Sequence, residues 1–423
     1  MKIVGMVLAG GRVDELLVLT MKRPKSALPF GGIYRIIDFA LSNLMHSGIE
    51  NVGILSQYRP YSLMNHVGLG EHWDFAGRKR GVRILPPYRG EKASDWYKGT
   101  ADAVYQNLNF INEHSANLVL IVSADHIYRM NYTEMFDFHL SNNADLTVAF
   151  TKVPISTASR FGLGVMERKG RLVAYREKPA EPVSVWASMT VYLFKKEVLF
   201  ALLRTNARET SHEFGRDIIP RAMANHRVFG FKHKGFWEYA RTIDAYYDAN
   251  LLLLRKSKLD LASWQVRTNL YERNLLGDRP PCVITNHGEI ENSIVSEGCI
   301  IKGKVVNSVL SPGVVVDEHS LVMNSIIMHD TMINRECVLK DTICDKDVSF
   351  GRGVVCGEGE MRPNQDFPQL LTLGVTVIGK GARIPEGTEI GKNCLIYPDV
   401  NEGCFGKSVI ASGESLRSYR EEK

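Results

Sequence analysis

The stretch "VIGKGARIPEGTEIGKNCLI", residues 377–396, sets Ile378, Ile384, Ile390 and Ile396 six residues apart. Farther upstream Ile294, Val309, Ile326 and Ile343 recur at steps of 15, 17 and 17. Six residues per face and nearly eighteen per coil is the period of a hexapeptide parallel β-helix, with apolar side chains stacked inside and glycines at the corners. One match would carry little, but this many in register assign residues 282–423 to a left-handed β-helix domain.

Before these coils the rhythm is different. Short apolar runs at residues 3–8, 51–56, 118–123, 146–151, 172–176 and 189–194 alternate with amphipathic stretches such as 101–113 and 242–256. That alternation predicts an α/β domain over residues 1–257, a mostly parallel sheet with helices on both faces. Residues 258–281, marked by Gly277, Pro280 and Pro281, read as the connection. In such sheets ligands lie beyond the carboxyl ends of the strands, which places Gly10, Gly11 and Asp125 at the site.

With 423 residues, ordinary apolar and charged fractions and a formal charge of only +5, the chain has room for two domains and gives no basis for nucleic-acid binding. The apolar run at the N-terminus is too short to span a membrane and no small-residue cleavage site follows it, so a cytoplasmic protein without membrane attachment is expected. All seven cysteines lie at or beyond Cys282 without C-x-x-C spacing, which favours small buried apolar side chains over disulfides or zinc.

The N-terminal segment "VLAGGRVDELLVLTMKRPKSALPFGG", residues 7–32, carries the chemistry. A strand running through Leu8 and Ala9 into Gly10 and Gly11 is the usual cradle for nucleotide phosphates, and Lys22, Arg23 and Lys25 add positive charge. Asp14 and Glu15 contradict that pattern, because a polyphosphate already crowds such a loop with negative charge.

The glycine loop, followed in order by "GGIYRIIDFALSN" (31–43), "DWYKGTADAV" (95–104), "ADHIYRMNY" (124–132), "EKPA" (177–180), "SHEFGRDIIP" (211–220) and the coils, resembles the ADP-glucose pyrophosphorylase (glucose-1-phosphate adenylyltransferase) family over nearly the whole chain. The resemblance implies a Rossmann-like nucleotidyltransferase domain. It also implies that glucose 1-phosphate is joined to ATP with Mg²⁺, releasing pyrophosphate, in an allosteric tetramer that commits glucose to glycogen or starch. On this basis Tyr97, Gly162, Glu177, Lys178 and Ser188 match the positions that hold glucose 1-phosphate. Lys178 would supply a point charge for the phosphate, Glu177 would accept from sugar hydroxyls, and Gly162 would let the backbone approach. Asp125 matches the metal-binding carboxylate, Lys25 the phosphate-contacting lysine, and Lys22, Arg23 and Arg35 match positions that in some members bind a phosphorylated metabolite effector. A solvated basic face is the alternative reading for those last three.

The chain departs from the family at the triphosphate. Members read Gly-Gly-x-Gly-x-Arg-Leu where this chain has Gly10-Gly11-Arg12-Val13-Asp14-Glu15-Leu16, so Val13 replaces a glycine and Glu15 the arginine of the pyrophosphate clamp. Members read Trp-Arg-Asp-Val-Gly-Thr where this chain has Trp237-Glu238-Tyr239-Ala240-Arg241-Thr242, so Tyr239 replaces the second Mg²⁺ carboxylate. Ala124 also stands where glycine is usual, and Pro24 precedes Lys25 where a proline normally follows it. A phenol is a poor ligand for so hard a cation. The pattern implies a catalytically impaired subunit that still binds glucose 1-phosphate or ADP-glucose and regulates a catalytic paralogue in a heterotetramer; a homotetramer is the other assembly. Two rivals stay open: an active adenylyltransferase with an altered triphosphate grip, and a hexapeptide acyltransferase using His287, His319 or His329 as general base.

Overall fold

The computed structural model describes residues 2–88, 96–208, 211–255, 259–270 and 279–418. Gly277, the expected boundary at 257/258 and Asp95 of the "DWYKGTADAV" motif lie outside the described residues. The chain divides into two compact units, one of Met1–Gly11, Ile36–Glu238 and Gln265–Arg267, the other of Arg12–Arg35, Tyr239–Trp264 and Thr268–Lys423.

Among the described residues the first unit is built on a nine-stranded sheet. Its strands are β1 (Ile3–Leu8), β2 (Asn51–Leu55), β3 (Gly81–Leu85), β4 (Leu118–Ser123), β5 (Leu146–Lys152), β6 (Gly162–Met166), β7 (Leu172–Glu177), β8 (Trp186–Lys195) and β9 (Val228–Lys232). The order is β7-β6-β8-β4-β1-β2-β3, with β5 pairing both β8 and β9. All six residues of β4 are buried, as a central strand requires. The sheet is mixed. It is parallel from β3 through β2 and β1 to β4 and antiparallel where β8 meets β4, β5 and β6. β6 and β7 are also antiparallel, because the turn between them, with Gly170 at φ +86°, is too short for a crossover.

β3, β6 and β9 fall outside the apolar runs: β3 is an edge strand with no fully buried residue, and Gly162 with Gly164 and Gly230 interrupt β6 and β9. The expected helix 101–113 is broken into α1 (Thr100–Gln106) and α2 (Leu108–Glu113) at Asn107, whose side chain donates to the Tyr97 hydroxyl and the Ala103 carbonyl, both at 2.9 Å. Among the described residues no helix is long and apolar enough to cross a membrane.

The second unit contains the coils: three parallel sheets of six, seven and seven strands among the described residues, the architecture of a left-handed parallel β-helix. Ile294 pairs with Val309, Val309 with Ile326 and Ile326 with Ile343, as the spacing predicts. Ile378, Ile384, Ile390 and Ile396 are all buried. Ile343 then pairs with Val377, because the chain leaves the coil after Val355–Cys356 and rejoins it at Thr376–Ile378, an excursion with no periodic signature. The corners are not reserved for glycine. One row of left-handed residues runs Asn292, Asn307, Asn324 and Asp341, and their side chains bond along the stack, Asn292 to Asn307 at 2.7 Å and Asn324 to Asp341 at 3.2 Å. Asn and Asp tolerate that backbone because their short polar side chains bond locally.

The segments 12–35 and 239–264, which the sequence pattern places with the first domain, belong to the compact unit of the coils. The Arg23 guanidinium donates to the Asp345 carboxylate at 2.8 and 2.9 Å with both side chains buried. Lys22 pairs with Asp399 at 2.9 Å, and the Tyr247 hydroxyl donates to the Asn324 carbonyl.

Candidate functional site

In the first unit β1 delivers Leu8 and Ala9 to the glycine loop. The Ala9 amide donates to the Leu55 carbonyl at 2.9 Å and the Gly10 carbonyl accepts from Tyr58 at 3.3 Å. Neither Gly10 nor Gly11 has a left-handed φ. A Cβ on Gly11 would meet no protein atom within 4 Å, and one on Gly10 would make only ordinary contact, 3.5 Å from the Leu55 carbonyl. The surrounding protein therefore does not require glycine there; glycine leaves a bare backbone open to a ligand. The Ala124 amide donates to the Leu8 carbonyl at 3.0 Å, fixing the turn that carries Asp125 beside this loop. Asp125 accepts from the Ser123 hydroxyl and stands 3.3 Å from His126 Nε2.

The hairpin of β6 and β7 builds the sugar-phosphate candidates. The buried Tyr175 hydroxyl donates to Glu177 Oε2 at 2.9 Å. A Cβ on Gly162 would collide with that hydroxyl and lie 2.6 Å from Glu177 Oε2, and one on Gly215 would collide with the same carboxylate. Two glycines thus make the room in which Glu177 sits. Burial, then the neighbouring Tyr192 and Glu177, hold the Tyr175 phenol well above its ordinary range, so it stays a donor. Ser188 is buried, and Lys178 is exposed with a left-handed φ of +45° and its amide donating to the Phe161 carbonyl at 3.1 Å.

Tyr97 has a different setting. Its hydroxyl donates to the Leu85 carbonyl and accepts from Asn107, each at 2.9 Å, and burial pushes its pKa up to about 12. Its polar end is engaged by the protein rather than presented to a sugar. Glu213, inside the quoted "SHEFGRDIIP", accepts from the Thr100 hydroxyl at 2.7 Å and acts electrostatically on Tyr192. Sequence reading passed over it, although its place in a family motif was the available signal.

In the second unit the acidic loop has an internal counterpart. Residues Asp14–Thr20 form a 3-10 turn instead of a glycine-rich loop; Val13 is extended, and the left-handed bend falls on Leu17, φ +49°. Arg12 pairs with Asp14 at 2.7 Å. Arg241 Nε donates to Glu15 Oε1 and Arg241 Nη1 to the Tyr239 hydroxyl, both at 2.8 Å. The buried Lys25 ammonium stands 4.3 Å from the Tyr239 ring centroid, a cation–π contact. Burial works against the charge on Arg241, but its bonds to Tyr239 and Glu15 outweigh that and hold it above its usual range.

This donor set does not fit the second Mg²⁺ position that the resemblance implies. The Tyr239 oxygen is a phenol that already accepts from a guanidinium, and a second cation covers its ring. Asp244, in the first turn of the helix Ile243–Leu252, has its carboxyl raised by burial and by Asp248, which disfavours the charged form a hard cation needs. Asp125, a carboxylate at the end of β4, has the oxygen chemistry of a Mg²⁺ ligand. Nor do Arg23 and Arg35 form a solvated basic face: both are buried, Arg23 against Asp345 and Arg35 donating to the Ala27 carbonyl at 3.2 Å. His287 and His319 are exposed, His319 at a coil corner with φ +60°.

A glycine loop and strand-end carboxylate on a mixed α/β sheet, with a hexapeptide coil following in the chain, define a nucleotidyl transferase with a coiled C-terminal domain. Residues 4–256 match the family described as "Nucleotidyl transferase", and residues 283–378 match "GlmU-like, C-terminal hexapeptide". Proteins named glucose-1-phosphate adenylyltransferase from Acetivibrio thermocellus, Thermotoga neapolitana and Thermotoga maritima are 40%, 41% and 42% identical to this chain. The similarity covers 98%, 97% and 97% of it and 99%, 98% and 97% of theirs. The chain belongs to the glucose-1-phosphate adenylyltransferase family.

Proposed function

We propose that this chain is a cytoplasmic family subunit impaired in its own turnover, which binds glucose 1-phosphate or ADP-glucose and regulates a catalytic paralogue within a tetramer. The observation that carries the reading is the assembly of Glu15, Arg241, Tyr239 and Lys25. Where the family has an arginine for the pyrophosphate and a carboxylate for the metal, this chain has a carboxylate facing a guanidinium and a phenol flanked by two cations. The charge at position 15 is reversed, and the positive groups around it, Arg241 and Lys25, already have partners. Arginines on transferring phosphates are worth roughly 10³ to 10⁵ in rate, so an arginine held by Glu15 leaves little turnover. The retained Glu177, Lys178 and Ser188 support sugar-phosphate binding independently of that loss.

An active enzyme with an altered triphosphate grip is the second reading, and one observation favours it: Arg241 returns a guanidinium to the loop, about a third exposed. The two readings part in a steady-state assay of the purified chain with glucose 1-phosphate, ATP and Mg²⁺ and no partner present. Turnover typical of the family supports the second.

A further inference from the structure

Strand β8 does not run evenly. Its pairing with β5 slips between Ser188 and Tyr192, and inside the slip Thr190 has φ +53°. Among the described residues it is the one β-branched residue in the left-handed region; the others there are chiefly Asn, Asp and residues at turns and coil corners. A β-branched side chain is strained in that backbone, which a bulge of this kind ordinarily gives to glycine. Such strain persists where the surrounding structure needs it for something else.

The surroundings are those of the sugar candidates. The Thr190 amide faces Ser188 Oγ at 3.4 Å. Ala187, next to Ser188, pairs with Leu163, next to the Gly162 that makes room for Glu177; burial pushes the Tyr192 phenol up to about 12, with the hydroxyls of Ser188 and Thr190 working against that rise. Ser188 likewise acts on Tyr175, which donates to Glu177. Two more left-handed residues, Lys178 at φ +45° and His212 at φ +59°, adjoin Glu177 and Glu213 in sequence.

We propose that Thr190 is a sugar-binding residue whose left-handed backbone is retained because it brings the Thr190 hydroxyl to Ser188, on the stretch of β8 that pairs with β6 beside Gly162 and Glu177. That group of hydroxyls and one carboxylate, able both to donate and to accept, matches the ring hydroxyls of a hexose 1-phosphate. The inference rests on the sugar-site reading above and adds a residue to it.

The test is calorimetric titration of the full chain with glucose 1-phosphate, alongside thermal unfolding, for the unaltered chain, Thr190→Gly, Thr190→Ala, Thr190→Ser and Lys178→Ala. Losing one neutral hydrogen bond should weaken binding about five- to tenfold in the Gly and Ala variants, with Ser restoring it. Thr190→Gly should also raise Tm by roughly 2 to 4 °C through release of strain. Unchanged binding in Thr190→Gly and Thr190→Ala, with Lys178→Ala still weakening it, overturns the role of Thr190 and leaves the sugar site standing. A Tm for Thr190→Gly at or below that of the unaltered chain removes the strain on which the inference stands, and failure of Ser to rescue removes the hydroxyl contact. No binding by the unaltered chain overturns the site and the inference together.

Discussion

Two arginines of the coil-containing unit show how burial decides what a charge pair does. Arg23 and Asp345 are 3% and 1% exposed, so either left alone would be an uncompensated charge in the interior. Asp345→Asn should therefore destabilise the unit by about 3 to 5 kcal/mol, read as a lower denaturant midpoint. Arg241 and Glu15 are 32% and 35% exposed, where solvent screens the attraction. Arg241→Ala should cost about 1 kcal/mol or less in the same experiment. Comparable losses from the two substitutions would contradict the burial argument. The modest stabilising worth of the Arg241 contact also bears on function, since its consequence lies in where the charge is directed. The sequence showed the acid at Glu15 and the missing carboxylate at Tyr239, but it could not show that Arg241, 226 residues from Glu15, would join the two. That pairing depends on tertiary contact.

Single elements carry two further expectations. The β6–β7 hairpin has room for the Tyr175 to Glu177 bond only because Gly162 lacks a side chain. Gly162→Ala should displace that pair and weaken glucose 1-phosphate binding at least about tenfold by calorimetry, the loss of a bond to a charged group; unchanged affinity would show that Glu177 does not touch the ligand. Beside β5, His139 is buried with Nδ1 2.8 Å from the Thr147 hydroxyl. Burial, then the Lys195 charge, lowers its pKa to about 4, against an ordinary 6.5. Because the folded value is depressed, the unfolded chain takes up the proton first as pH falls. Stability should then decline from about pH 6.5 to about pH 4, by up to about 1.4 kcal/mol per pH unit. Asp145 nearby has its carboxyl held below its usual range: burial opposes this, but bonds from Arg227 and Lys195 prevail, so its contribution is lost only as pH falls below about 4. Chemical denaturation across pH for the unaltered chain and His139→Leu checks the sign; an equal decline in both would assign it elsewhere.

At the scale of the molecule, legibility followed the range of the interactions. The coils were readable because their repeat is local and covalent, with Ile326 foretelling Ile343 from spacing alone. The pairing of the other half was not: β5, β7 and β8 read as strands, but glycine-interrupted β6 and β9 did not, and β8 gains its partners from distant segments. The same division runs through the site. Glu177, Lys178 and Ser188 were visible as motif residues, whereas the engaged hydroxyl of Tyr97, the buried partner of Arg23 and the strained Thr190 required coordinates. The central claim is that reversed charge in the triphosphate loop impairs turnover. Its most direct test is the kcat of the isolated chain, without any partner, measured beside a variant carrying Glu15→Arg, Tyr239→Asp and Arg241→Gly, the last needed because a restored arginine would otherwise face Arg241. We predict that the unaltered chain turns over at least about 10³-fold more slowly than a family enzyme with the arginine loop, and that the triple variant recovers more than the single changes together, since the groups act as one unit. An unaltered chain within tenfold of such an enzyme would contradict the account.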